Sequence, residues 1–162
     1  MKKYFAAYVL IWFGLIGCNK SSEDTAPMLD TAQLLGNWQI TSIIANPSVQ
    51  SPTYGTTTDV LSLYKQIIGR DCVEPTRYEF TSDHVLRLTS SSACQTTATT
   101  ILGFTTANWR VDRHQLYIEG LYDTLLYTVT NQQSGQMTWQ RAEYNSSIDG
   151  KTHVYTITLT KK

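Results

Sequence analysis

Thiols, histidines and net charge are all scarce in this chain. Its 162 residues include three cysteines and three histidines, none in a CxxC or HxxxH spacing, so the usual metal centres have no ligand set to build on. No GxSxG elbow occurs, and His84, His114 and His153 stand singly, none near a convincing Ser/Asp partner in sequence. No catalytic residue, cofactor or metal is therefore assigned, and a non-enzymatic role is expected. Thirteen basic residues balance thirteen acidic ones without a basic run, which removes the electrostatic case for nucleic acid. Asp112, Glu119, Asp123 and Glu143 fall one per strand or turn and read as solvated outer positions. Helix-forming patterns are also sparse, whereas ten tyrosines, four tryptophans and many threonines favour pleated, half-buried strands.

The N-terminus has its own character. Lys2 and Lys3 precede a charge-free apolar run, Tyr4 to Gly17, the profile of a secretory signal. Fourteen helical residues would rise only about 21 Å against a hydrocarbon core of about 30 Å, too short for a permanent span. Leu15-Ile16-Gly17-Cys18 resembles the bacterial lipobox, which implies cleavage before Cys18 and lipidation of its sulfur. The expected organisation is a signal peptide over residues 1–17, a lipid-anchored polar tether over 18–33 and one domain over 34–162. Membrane attachment then rests on acyl chains alone.

With Cys18 assigned to lipid, Cys72 and Cys94 remain as a pair in an oxidising compartment. Between them "TRYEF" and "HVLRL" alternate around the turn "TSD". Antiparallel pairing about that turn joins residues whose numbers sum to about 166, and 72 + 94 = 166. A disulfide at the open end of this hairpin is the expected reading.

Elsewhere Met28 to Leu35 reads as one or two helical turns. Trp38, Ile40 and Ser42 form one face of a first strand, with Gln39, Thr41 and Ile43 on the other. "ANPSVQSPTYG" reads as loop. A helix follows, capped by Thr58 or Asp59, stopped by Gly69, and buried through Val60, Tyr64, Ile67 and Ile68. Seven further inward sets succeed one another: Tyr78/Phe80, Leu86/Leu88, Trp109/Val111, Leu116/Ile118, Tyr127/Val129, Met137/Trp139 and Tyr155/Ile157/Leu159. Turn signals separate them at Asp83, Asp112-Arg113, Gly120, Ser134-Gly135 and Asp149-Gly150. The pattern is mainly β, about eight antiparallel strands in meander order with one helix inserted after the first strand. Closure into an up-and-down barrel would remove the sheet edges.

Gly36-Asn37-Trp38 resembles the G-x-W signature of lipocalins. "LLGNWQITS", the Cys72/Cys94 pair and "ANWRVDRHQLYI" resemble the lipocalin-like domain of Bacteroidetes-type lipoproteins. The resemblance implies a lipocalin-like barrel in which Gly36 and Trp38 plug the closed end. It also implies an outer-membrane lipoprotein of the cell envelope. The Ser-Ser-Glu-Asp patch, Ser21 to Asp24, resembles a surface-export signal, and the two Asp-Thr-Ala triplets resemble an O-glycosylation sequon. The chain departs from typical lipocalins in its inserted helix, in lacking the Thr-Asp-Tyr motif, and in offering Lys161 instead of an arginine as the cation nearest the tryptophan.

An eight-stranded barrel is just wide enough to be filled by side chains or to hold one small ligand. Tyr54, Tyr64, Tyr78, Trp109, Tyr117, Tyr122, Tyr127, Trp139, Tyr144 and Tyr155 can do either. For a hollow barrel the expected small hydrophobic ligand is lined by Tyr78, Leu88, Trp109, Tyr127 and Trp139. For a solid one, the loops Ala45 to Thr58 and Ser90 to Thr99 would contact a protein partner or inhibited target.

Overall fold

The computed structural model describes residues 28–95, 104–121, 123–145 and 149–162. The signal segment, Cys18, most of the tether, Tyr122 and part of the Ser90 to Thr99 loop lie outside the described residues. A four-residue helix, α1 (Thr31–Leu34), leads into the long strand β1 (Gly36–Ser51). β2 (Gly55–Asp59) and helix α2 (Val60–Ile68) follow, then β3 (Arg77–Phe80), β4 (Val85–Thr89), β5 (Thr106–Asp112) and β6 (Gln115–Glu119). β7 (Thr124–Gln133), β8 (Gln136–Asn145) and β9 (Lys151–Lys161) complete the order. All pairings are antiparallel, and β9 returns to β1 from Trp38/Lys161 to Asn46/Val154. The result is a closed, lipocalin-like barrel of eight strands with β2 added beside the far end of β1.

The hairpin register is as the numbers required. Arg77 faces Thr89, Tyr78 faces Leu88, Glu79 faces Arg87 and Phe80 faces Leu86, each pair summing to 166. Cys72 and Cys94 meet beyond it as a disulfide, with Cα atoms 5.2 Å apart.

Three local expectations are corrected. Residues Ala45 to Thr58, expected as loop, form most of a β-hairpin in which Val49, Gln50 and Ser51 face Thr57, Thr56 and Gly55. Pro47 offers no N–H, and the ladder is irregular between Ile44 and Val49, so pairing accommodates the proline instead of being prevented by it. On β1 the register shifts between Ile40 and Ser42, where Thr41 is the extra residue of a bulge. The alternation changes phase there: Trp38 and Ile40 point in before the bulge, Ile43 and Ala45 after it, so Ile43 is interior and not outward. On α2 the buried residues are Val60, Leu61 and Leu63, and Ile67 is exposed. The caps follow expectation, since Asp59 accepts from the Ser62 amide and Gly69 adopts the left-handed conformation, φ 72°.

The N-terminal segment closes one end. Leu29 and Leu34 are buried, so the packed fold takes in the last residues assigned to the tether. The Leu29 amide donates to the Arg113 carbonyl in the β5–β6 turn, and the Asp30 amide donates to Gln132 on β7. Trp38 lies beneath, its indole N–H donating to the Leu34 carbonyl at 2.6 Å. The Lys161 ammonium sits 5.5 Å from the Trp38 ring centroid and also donates to the Gln33 carbonyl, so lysine supplies the covering cation. Gly36 has φ +112°, a backbone conformation that residues with a β-carbon rarely adopt, and this requires glycine, whereas a β-carbon there would meet only the flexible end of the Lys161 side chain, at 3.1 Å.

At the opposite end His153, which pairs across the strands with Glu143, is fully buried. Its Nδ1 lies 2.9 Å from the Pro47 carbonyl and its Nε2 3.0 Å from Asp149 Oδ1. Both ring nitrogens face acceptors, an arrangement satisfied by the doubly protonated, cationic ring. The Asp149 carboxylate raises the His153 pKa, with the Pro47 carbonyl adding to it; His153, followed by the Gln50 amide, lowers that of Asp149. Asp149 therefore contributes stability above its ordinary value near 3.8, lost as pH falls through the depressed one. His153 contributes it below 6.5, lost as pH rises through the elevated one. Thermal melts should show stability falling as pH climbs beyond neutrality, with a flatter profile in His153→Gln; parallel profiles would contradict the cationic pair.

Candidate functional site

The interior is divided along the barrel axis. In the closed half it is solid: Trp38, Phe80, Leu116, Met137 and Leu159 are all sealed from solvent. Phe80 meets Trp109 edge-on at 5.5 Å and Trp139 at 5.9 Å, and Trp139 packs 5.2 Å from Tyr127. These four rings run from the packed half to the floor of a cavity of about 340 Å³ that fills the other half. That volume lies within the lower part of the range for small-molecule sites.

The strands supply the cavity wall through their inward positions. Ile40 and Ile43 come from either side of the β1 bulge, Leu86 from β4, Ile118 from β6 and Ile157 from β9. α2 lies across the open end and contributes Val60 and Tyr64, while Cys72, Val73 and Thr76 bring the disulfide-tied segment alongside. Thr76 is committed, its hydroxyl donating to the Cys72 carbonyl at 2.7 Å.

Tyrosines form the middle of the wall. Tyr64, Tyr78, Tyr127 and Tyr155 all line it. Burial pushes the phenol pKa of Tyr64, Tyr78 and Tyr127 upward, so these three remain neutral hydrogen-bonding groups at ordinary pH. Charged residues in the lining are Asp123, Arg141 and Glu143. Arg141 lies 3.6 Å from Glu143 and 5.9 Å from the Tyr127 ring centroid.

Of the five residues expected to line a hollow barrel, Tyr78, Tyr127 and Trp139 do so. Trp109 lies below the floor, and Leu88 is half-buried without reaching the cavity. Tyr54 and Tyr144 are exposed, and Tyr117 packs outside, where the Arg110 guanidinium stands 3.6 Å over its ring. Sequence reasoning missed Asp123 and Glu143 as cavity residues because one carboxylate per strand resembles any solvated face. Arg141 and Glu143 share the inward parity of Trp139 on β8, the one signal that could have placed them.

Fold and cavity together define a half-hollow, lipocalin-like β-barrel, closed at the N-terminal side and covered by a helix at the other. The chain belongs to the family described as a domain of unknown function, DUF5004, whose model matches residues 16–162. No curated protein matches the sequence.

Proposed function

We propose that this protein is a lipid-anchored, lipocalin-like binding protein of the cell envelope, an outer-membrane lipoprotein with a surface-facing address, whose barrel holds a small apolar or amphipathic molecule. The anchoring rests on the Lys2-Lys3 start, the apolar run and the Gly17-Cys18 junction. The binding role rests on one observation above all, the cavity of about 340 Å³ lined by aliphatic and tyrosine side chains beneath α2. Association without turnover is the assigned activity. A protein partner is not needed to account for the hollow interior.

The neutral probe N-phenyl-1-naphthylamine should bind the full chain with enhanced fluorescence and a Kd on the order of 10 µM, in keeping with ordinary ligand efficiencies. Ile157→Trp, which places a larger ring in the cavity wall, should weaken it at least about tenfold. Equal binding by both proteins would refute the cavity as the site. Cys18→Ser should abolish the lipid mass shift and release soluble protein, and unchanged membrane retention would refute the anchor.

A further inference from the structure

Two hydroxyls in the cavity wall are uncommitted. Tyr78, on β3, is 4% exposed, and its hydroxyl has no hydrogen-bond partner among the described residues. Among the described residues, the buried polar side-chain atoms that are both sealed and unpartnered are the indole nitrogens of Trp109 and Trp139. The Tyr78 oxygen is not sealed in that way, and the open space beside it is the cavity. Tyr64 on α2 lines the same space, half-buried and likewise without a partner among the described residues. A buried hydroxyl left without a partner forfeits the hydrogen bonds it had in water, so both positions favour an occupant that restores them.

Charge argues about what that occupant carries. The lining holds one cation, Arg141, and two carboxylates, Asp123 and Glu143, a formal balance of 1 − 2 = −1. Arg141 is already engaged by Glu143 at 3.6 Å. A ligand anion would have to share that guanidinium, face two like charges, and lose its hydration among neutral phenols. A ketone or ester oxygen needs only a donor, which each free phenol supplies.

Resting on the cavity reading above, we propose that the ligand class is a neutral molecule with a compact apolar body and an oxygen acceptor, held by the Tyr78 and Tyr64 hydroxyls, and that carboxylate amphiphiles are excluded. The aliphatic wall from Ile40, Leu86, Ile118 and Ile157 takes the apolar body. The Trp139 ring lies beneath it as the floor.

Three probes of nearly one shape separate the terms: naphthalene, 1-acetylnaphthalene and 1-naphthoate, titrated calorimetrically into the full chain at neutral pH. The ketone should bind about tenfold more tightly than naphthalene, as one or two neutral hydrogen bonds allow, and at least about tenfold more tightly than the carboxylate. In Tyr78→Phe, and to a smaller degree in Tyr64→Phe, the ratio of ketone to naphthalene affinity should collapse toward about twofold. Melting temperatures of both variants register whether the barrel remains folded. If 1-naphthoate matches the ketone, or the ratio survives both substitutions in folded protein, the proposed ligand class is overturned while the cavity reading stands. If none of the three binds the wild-type chain, the cavity reading fails and takes this proposal with it.

Discussion

Trp38→Ala is expected to lower the stability of the barrel by about 3–5 kcal/mol, the largest loss of any single substitution considered for this chain. The ring is 1% exposed and has no solvent to retreat into, so truncation removes apolar burial and leaves a void in the closed half. It also deprives the Leu34 carbonyl of its donor and Lys161 of the ring beneath it. Chemical denaturation of the two proteins measures the difference. Trp38→Phe separates the contributions, since it keeps most of the volume and loses the N–H, at a cost of about 1 kcal/mol from the hydrogen bond. A loss below about 1 kcal/mol for alanine would mean that the end of the barrel does not depend on this plug.

Replacing both Cys72 and Cys94 with serine should cost about 3 kcal/mol. The bridge closes a loop with a sequence separation of 22, and constraining a loop of that length in the unfolded chain has about this value. A local effect accompanies the global one. Cys72 and Val73 belong to the cavity wall, so the double variant should bind N-phenyl-1-naphthylamine more weakly even at temperatures where it is fully folded. Denaturant midpoints of the oxidised, reduced and double-serine proteins test the first expectation. Identical midpoints for all three would show the crosslink to be energetically idle.

What could be read from the sequence follows how locally each feature is encoded. The β3–β4 hairpin was legible because two alternating strands and one short turn set a register that the cysteines independently repeat. The α2 caps were legible because Asp59 and Gly69 each act within a few residues of their own position. The bulge at Thr41 was not: Ser42 and Ile43 fit either face, and the pairing with β9, more than a hundred residues away, decides between them. Composition misled at Ala45 to Thr58, where Pro, Ser and Gly describe a loop but β2 supplies a ladder. His153 gave no signal, since its partners come from a turn and from β1. The candidate site was half legible. Parity identified Tyr78, Tyr127 and Trp139 as interior, but only the depth of each residue along the barrel axis separates the wall of the cavity from the packing beneath it, and depth depends on strand stagger that a single strand does not carry.

The return of β9 to β1 has a consequence for how the molecule comes into being. Trp38 pairs with Lys161, joining positions 161 − 38 = 123 residues apart, so the seam that closes the barrel links the start of the first strand to the end of the last. Such a contact bears the full entropy of closing the chain before it returns any stabilisation. A polypeptide made from its N-terminus holds β1 with one edge unsatisfied until β9 emerges, and every shorter intermediate is an open, incompletely bonded sheet. Removing β9 would therefore leave the facing edges of β1 and β8 without their partner along the whole seam.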